Sequence, residues 1–412
     1  MAGEAGWREY LPGARWYAAK SGGELGAVRA LPWYTAAGQL PAVRSELAEV
    51  TSSDGTATYH LLVGYLPAGT AEPEALVTTT TLPGLGEVDV VDAPASPTSM
   101  QALLARLIDA PPPGMRWLHR PGRAPVEVRV STAEQSNSTV FAEDLLVKVY
   151  RLVEPGPNPD PEVLAALDGR QVPALYGVLS GDGYDLAIVG QFLPGARDGW
   201  EYATAACAAG RGVDDELAAL GQSLHTLHAA LAEAFGTTEL DAATVRRRFA
   251  DGLADAIAAR PELGARRDAL AALLAVPDTG ITGQRVHGDF HLGQALLTGD
   301  GWRIIDFEGE PGASIERRRQ FDSPWRDVAG LLRSIDYARS AHAEPDGQQA
   351  RAWAQRARAA FLAGYGVTDS GSAVLRAYEV HRMLYEVGYE LRNRPDWVRI
   401  PLAAVEDMTR VD

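Results

Sequence analysis

The chain has 412 residues and carries 54 acidic against 38 basic side chains, a formal charge of −16. That length permits two or three domains with a sizeable core. The charge argues against nucleic acid or an anionic membrane as the main partner, because both select a basic surface. The single cysteine, Cys207, excludes an intrachain disulfide and a cysteine-rich zinc site. It lies in an Ala-rich helical run and is expected as a small core residue. Residues 1–10 contain two Glu and no apolar stretch of signal-peptide length. Nowhere do ~18 apolar residues run together, so a cytoplasmic protein without a membrane span is expected.

Residues 1–95 read as a small separate unit. Within it, residues 42–50 and 57–66 are strand-like runs joined by Ser52-Ser53-Asp54-Gly55, a hairpin pattern. Trp7, Trp16 and Tyr17 are expected as core aromatics. Residues 91–97 have linker composition, and residues 100–108 read as a short helix.

Residues 96–190 form a second, β-rich unit. Strands are expected over 126–130 and 140–150, separated by the polar segment 131–139, which is where a kinase places its phosphate-covering loop. Ser136, Asn137 and Ser138 are its candidate contacts, standing where glycines are usual. Lys148 alternates with Val147 and Val149 and so points to the opposite face of its strand. Glu162 opens a helix after Pro155-Gly156-Pro157-Asn158-Pro159 and is placed to pair with Lys148. A solvent-facing strand lysine and a first-turn acid complementing the helix dipole would read the same way. The apolar strand 186–189 is broken at 190–195, the place of a kinase hinge, so Gln191 and Leu193 are candidate adenine contacts.

Residues 191–412 are mainly helical. In residues 214–235, Leu217, Leu220, Leu224 and Leu227 recur at helical spacing and are read as core. The order of a β-rich section, a break and a helical section is an α+β layout.

The segment Val286-His287-Gly288-Asp289-Phe290-His291-Leu292-Gly293-Gln294, followed by Ile304-Ile305-Asp306-Phe307-Glu308, carries the chemistry. Asp289 and Gln294 have the Asp-to-amide spacing of a kinase catalytic loop, and Asp306 ends a short apolar run where a kinase keeps a magnesium-binding Asp. Phosphoryl transfer depends on orienting the attacking hydroxyl and neutralising charge. Asp289 is therefore the candidate base. Gln294 and Asp306 supply hard oxygen ligands suited to Mg²⁺. A bland hairpin around Thr298-Gly299-Asp300-Gly301 would explain the fold of this segment, but not the spacing of all three polar groups.

Taken together, the chain resembles actinobacterial maltokinases and the related glucosamine kinases, relatives of the aminoglycoside phosphotransferases with a protein-kinase-like fold. The matching stretches are Ala14-Arg15-Trp16-Tyr17-Ala18, Glu134-Gln135-Ser136-Asn137-Ser138-Thr139, Pro155-Gly156-Pro157-Asn158-Pro159-Asp160 and the catalytic segment. Asp306-Phe307-Glu308-Gly309-Glu310-Pro311, Asp322-Ser323-Pro324, Arg326-Asp327-Val328-Ala329-Gly330 and Asn393-Arg394-Pro395-Asp396-Trp397 complete the set. The resemblance implies a bilobal α+β fold with an N-terminal cap (1–95), an intermediate nucleotide-binding lobe (96–190) and a helical C-lobe (191–412). It also implies ATP and Mg²⁺ as cofactors, Lys148 as the phosphate-binding lysine and Glu162 as its partner.

Sugars are gripped by planar multi-donor side chains and an aromatic face. Residues 378–390 offer Tyr378, Arg382, Tyr385 and Tyr389 on one helical face, with Glu386 beside them, Glu390 one turn on and Trp397 beyond Pro395. Glu308 and Glu310 add carboxylates for an amino sugar. Arg382, Tyr385, Glu386, Glu390, Trp397, Glu308 and Glu310 are thus the acceptor candidates beside Asp289. His381-Arg382 departs from the Asp-Lys pair of maltokinases. The resemblance therefore favours conversion of glucosamine to glucosamine 6-phosphate, with maltose to maltose 1-phosphate as the alternative. The chain is expected to act on a small sugar as a monomer.

Overall fold

The structure is a computed structural model and describes residues 4–19, 22–35, 38–53, 55–131, 136–310, 313–367 and 372–409. Asp54 of the expected hairpin turn, residues 132–135 of the expected phosphate loop and Pro311 lie outside the described residues. The chain forms two compact units, residues 1–168 with 173–194, and residues 169–172 with 195–412.

The first unit opens with helix α1 (Glu4–Tyr10) and strands β1 (Glu24–Trp33), β2 (Ala42–Ser52), β3 (Gly55–Pro67), β4 (Leu76–Leu82) and β5 (Gly86–Asp92). The sheet order is β1-β2-β3-β5-β4, and the expected β2–β3 hairpin pairs antiparallel from Ala42↔Tyr65 to Ser52↔Gly55. Central β3 is buried on both faces because its alternating side chains serve two cores. Leu61 and Val63 pack with Trp7, Trp16, Tyr17 and Tyr59, whereas Leu62 packs with Leu103, Leu104 and Leu107 of helix α2 (Pro97–Asp109). Burying each of those leucines contributes roughly 1.5–3 kcal/mol.

Residues 91–97 are not a linker. Val91, Asp92, Ala93 and Ser96 are all buried, and Ser96 Oγ caps α2 by accepting from the Ser99 N–H at 3.3 Å. Pro97 stands at the helix start, where a missing N–H costs nothing; the proline that suggested a linker marks an N-terminus instead.

The second sheet contains β6 (Met115–Trp117), β7 (Arg129–Val130), β8 (Ser138–Ala142), β9 (Leu145–Val149), β11 (Leu175–Gly181) and β12 (Tyr184–Gln191), in the order β6-β11-β12-β9-β8-β7. Between β9 and β11 come β10 (Leu152–Val153), which pairs with β3 of the first sheet, and helix α3 (Pro159–Leu167). Three expectations shift here. Only Arg129–Val130 of the run 126–130 is a strand: Val126 is 68% exposed and its N–H donates to Glu143 Oε1 at 2.8 Å. The run 140–150 belongs to two strands, reversing at Glu143-Asp144 with Glu143 at φ 57° and no glycine to announce it. β12 continues through Gly190 to Gln191, so the break begins at Phe192.

The second unit contains β13 (Arg197–Asp198), α4 (Gly199–Ala208), α5 (Asp214–Phe235), β14 (Thr237–Glu239), α6 (Ala242–Ala259), α7 (Arg267–Leu273) and β15 (Thr282–Gln284). It continues with β16 (Ala295–Thr298), β17 (Gly301–Ile304), α8 (Ile315–Arg318), α9 (Trp325–Ala338), α10 (Gln348–Tyr365), α11 (Ala373–Asn393) and α12 (Arg399–Thr409). Helix α5 buries Leu217, Leu220, Leu224 and Leu227, as their spacing requires, and Cys207 is buried in α4. α5 lies close to α10 because Gly364 leaves room where a Cβ would strike the Ala218 carbonyl. No helix among the described residues is long and apolar enough to cross a membrane.

Candidate active site

The catalytic segment runs from the end of β15 to β17. Residues 295–304 form the expected hairpin, with Ala295↔Ile304 and Thr298↔Gly301 paired. The loop before it is held largely through its backbone. Asp327, fully buried on α9, accepts the His287 N–H at 2.8 Å and the Gly288 N–H at 2.9 Å, and His228 Nε2 lies 3.0 Å from the same carboxylate. Burial alone would push the Asp327 carboxyl up; His228, His287 and the Gly288 N–H hold it below its ordinary value instead. His287 Nε2–H donates to the Ile305 carbonyl at 2.9 Å, tying loop to hairpin. Gly330 lets α9 approach, since a Cβ there would collide with the Phe290 carbonyl oxygen.

Asp289 sits half-buried on this fixed loop, and its Oδ1 accepts from Arg382 Nη2 at 2.9 Å. Gln294 and Asp306 are side by side: Gln294 Nε2 donates to Asp306 Oδ2 at 3.2 Å. That bond leaves the Gln294 carbonyl oxygen uncommitted, so the pair presents hard oxygen donors. Asp306 adopts φ 69°, a left-handed conformation that Asp tolerates better than most residues. No group of three or more His, Cys, Asp or Glu side chains placed to hold a metal occurs among the described residues. A carboxylate and an amide fit an ion that takes its remaining ligands from water and phosphate, as Mg²⁺ does.

Helix α11 brings most of the acceptor candidates to one cavity of about 520 Å³, lined by Asp289, Arg382, Tyr385, Glu386, Glu390 and Trp397. Trp200, Tyr337 and Tyr389 also line it. Trp397 stacks on Tyr337 at 6.1 Å between centroids, with the Arg394 guanidinium over its ring. The carboxylates here are already engaged. Glu386 Oε2 accepts from Arg333 Nε at 3.0 Å, and Glu390 accepts from Tyr337 Oη at 3.1 Å and from Arg394 at 2.8 and 3.0 Å. Burial pushes the Glu386 carboxyl up, partly opposed by Arg333 and Arg382. Glu310 belongs to a second, smaller hollow, where it pairs with Arg326 at 2.9 Å; Asp289, Arg382 and Tyr385 line both. Asp322 in that hollow is also buried. Desolvation would raise its pKa, but Arg248 and Arg326 hold it well below the usual carboxylate range. Glu308 is half-buried and lines neither hollow.

In the first unit, Lys148 Nζ meets Asp160 Oδ2 at 3.0 Å, and Tyr150 Oη donates to the same oxygen at 3.0 Å. Glu162 lies half-buried in the first turn of α3, two residues on. Asn158 Oδ1 caps that helix through the Asp160 N–H. Ser138 pairs with Val149 across β8–β9, Asn137 precedes it and Ser136 is exposed. Gln191 Oε1 accepts the Ala174 N–H at 3.2 Å, and Leu193 is half-buried beyond the strand end.

Sequence reasoning gave no role to Asp160, Asp327 or Arg333. Arg333 was detectable only as a charge on the apolar stripe of α9, and Asp327 and Asp160 only as members of the quoted Arg-Asp-Val-Ala-Gly and Pro-Asp stretches.

Arranged in this way, the chain is a phosphotransferase. It belongs to the phosphotransferase enzyme family, whose model matches residues 127–365, and residues 10–95 match the maltokinase N-terminal cap domain. The kinase-like α+β fold with an N-terminal cap, read from the sequence, is the fold this chain has. A glucosamine kinase of Streptacidiphilus jiangxiensis is 31% identical over 337 residues, covering 70% of this chain and 75% of that one. A glucosamine kinase of Mycolicibacterium smegmatis is 29% identical over 325 residues, 67% of this chain and 78% of that one. A solved glucosamine kinase in complex with glucosamine, ADP and inorganic phosphate shares the fold, with a TM-score of 0.67 at 23% identity over 98% of this chain and 99% of that one.

Proposed function

We propose that the chain is an ATP-dependent kinase that converts glucosamine to glucosamine 6-phosphate. The observation that carries this reading is the placement of Asp289 in the wall of an aromatic and acidic cavity built by α11. The similarity to two glucosamine kinases supports it.

Arg382 holds Asp289 Oδ1, so Oδ2 is the oxygen that receives the proton of the acceptor hydroxyl. Glu390 has both oxygens committed to Tyr337 and Arg394. Glu386 Oε1, 3.8 Å from Arg382 Nε, is less committed and faces the substrate ammonium. An ammonium there also offsets the cost of burying this carboxylate. The Trp397–Tyr337 stack supplies the apolar surface for the sugar ring. Lys148, oriented by Asp160, and the Ser136-Asn137-Ser138 segment bind the nucleotide phosphates, while Gln191 and Leu193 border the adenine. Gln294 and Asp306 would hold Mg²⁺, which would neutralise phosphate charge.

The test is ADP release by the purified protein with Mg²⁺–ATP against glucosamine, glucose, maltose and kanamycin in parallel. Turnover mainly with glucosamine is expected. The maltokinase-type cap keeps maltose in the panel, and turnover confined to maltose overturns the acceptor assignment while leaving the kinase reading intact.

A further inference from the structure

His60, His228 and His287 are fully buried, and each has both ring nitrogens engaged. His60 Nδ1 lies 2.9 Å from the Tyr150 carbonyl, which can only accept, and Nε2 lies 2.7 Å from Ser45 Oγ. His228 meets Tyr365 Oη at 2.8 Å through Nδ1 and Asp327 at 3.0 Å through Nε2. In the catalytic loop, His287 Nδ1 faces the Asp289 N–H at 3.4 Å while Nε2–H donates to the Ile305 carbonyl. His291 repeats that arrangement for one nitrogen only. Its Nδ1 accepts the Gly293 N–H at 3.1 Å, again two residues on, and among the described residues none hydrogen-bonds to Nε2.

A backbone N–H can only donate, so His291 Nδ1 carries no proton and Nε2 carries the one that the neutral ring has. The loop thus fixes the tautomer. It also holds the ring still, because the His291 carbonyl accepts the Gln294 N–H at 2.9 Å and the Leu292 N–H donates to Ser334 Oγ of α9 at 3.1 Å. Gly293 leaves room for the ring, since a Cβ there would lie 3.1 Å from its Nδ1 and Cε1. Half-buried His291 lines the acceptor cavity beside Asp289 and Arg382, all within the second unit. Burial holds its pKa below the ordinary value, helped by His287 and Arg382 and opposed by Asp289 and Asp306. Both of those carboxylates therefore act on a ring that follows Asp289 by two residues and precedes Gln294 by three.

A histidine that served only to cap this turn would need no second nitrogen, because Asn accepts a backbone N–H two residues on in the same way. A donor fixed in direction and left without an acceptor is costly unless a ligand takes its bond. We propose that His291 is a catalytic residue for the transfer itself, its Nε2–H donating to a non-bridging oxygen of the phosphoryl group as that group passes to the acceptor. In that step the acceptor oxygen forms the new bond to phosphorus. The bond from phosphorus to the β–γ bridging oxygen breaks, its electron pair leaving on ADP, and the hydroxyl proton goes to Asp289 Oδ2. His291 keeps its proton throughout and stabilises the charge on the phosphoryl oxygens. This inference rests on the kinase reading.

The test pairs His291→Asn with His291→Gln in the full chain. An Asn Oδ1 stands where Nδ1 does and takes the Gly293 N–H, but leaves no donor at Nε2; a Gln amide reaches the Nε2 position and restores one. For His291→Asn, kcat is expected to fall about 10²-fold, the scale of removing one donor from an oxyanion site, with the melting temperature unchanged. The KM of acceptor and of ATP should stay within about threefold. His291→Gln should recover about tenfold of the lost turnover. Calorimetry supplies a second readout: Mg²⁺–ADP should bind both variants as it binds the wild type. Mg²⁺–ADP with aluminium fluoride, a stand-in for the phosphoryl group in transfer, should bind His291→Asn at least about tenfold more weakly. Unchanged kcat in folded His291→Asn overturns the proposal, and so does a rise in acceptor KM at constant kcat, which would put the donor on the sugar. An equal loss in both variants with a lowered melting temperature overturns it too, leaving His291 a loop cap. Should His291→Asn fail to fold, His291→Phe keeps the ring's bulk without the donor, and the same two calorimetric titrations decide. A wild-type protein that releases ADP with none of the acceptors would instead sink the kinase reading itself.

Discussion

The catalytic loop and the acceptor-lining face of α11 use the same residue types in opposite ways. In the loop, polar groups are satisfied mainly by backbone: Asp327 takes two consecutive N–H groups, and His287 donates to the Ile305 carbonyl. On α11, carboxylates meet guanidinium groups from distant parts of the chain, as in Glu386 with Arg333. Groups held through the loop backbone keep their place when a side chain of the loop itself changes, whereas side-chain pairs are coupled, so removing one member strands the other. The two regions meet at the Arg382–Asp289 contact.

Four variants or conditions would break or sharpen that contrast, from the largest expected effect down. Asp289→Asn keeps the shape of the side chain and the loop around it, so turnover is expected to fall at least ~10²-fold, the scale of losing a general base, with the melting temperature nearly unchanged. Unchanged turnover would remove Asp289 from its role. Asp327→Ala should do the reverse, costing roughly 3–5 kcal/mol of stability because two loop N–H groups and His228 lose a buried partner. Denaturant titration would show this, and a loss under about 1 kcal/mol would mean the loop does not depend on α9.

The third concerns pH. Burial, together with the charge of Arg151, brings the His60 pKa down to about 3. Its folded value therefore lies below the ordinary ~6.5, so the unfolded chain takes up the proton first and stability falls with pH. The contribution is complete above pH ~6.5 and is lost progressively as pH drops towards the folded value, about 2 kcal/mol of it between pH 7 and pH 5. His60→Asn, which retains a donor for the Tyr150 carbonyl, should show a correspondingly flatter stability profile over that window; parallel profiles would refute the assignment. The smallest effect is expected for Tyr337→Phe. Losing one neutral donor to Glu390 should raise the acceptor KM about threefold to tenfold, with the ATP KM unchanged. An equal rise in both would show that the cavity wall acts only as structure.

Legibility followed the same contrast. The spacing of Asp289, Gln294 and Asp306 was readable because a tight loop and a short hairpin place those side chains, and the structure puts Gln294 and Asp306 within hydrogen-bonding distance. The α11 face was readable as a face, since helical periodicity brings Arg382, Tyr385 and Glu386 to one cavity. What each side chain spends its charge on was not readable. Arg333 lies 53 residues from Glu386 and Asp92 lies 59 from Arg151, and no local pattern encodes such partners. The hairpin at Glu143-Asp144 escaped for another reason: its reversal uses a left-handed Glu instead of Gly or Asn. Residues 91–97 misled because Pro and Ser mark helix starts as well as linkers.

Cys207 is completely buried in α4, and that burial raises its thiol pKa. The native chain should therefore be nearly silent towards maleimides, with no second thiol to compete. A cysteine engineered at an exposed site such as Ser136 would take a fluorophore at one address without any prior cysteine removal, giving a clean optical probe of the segment proposed to hold phosphate.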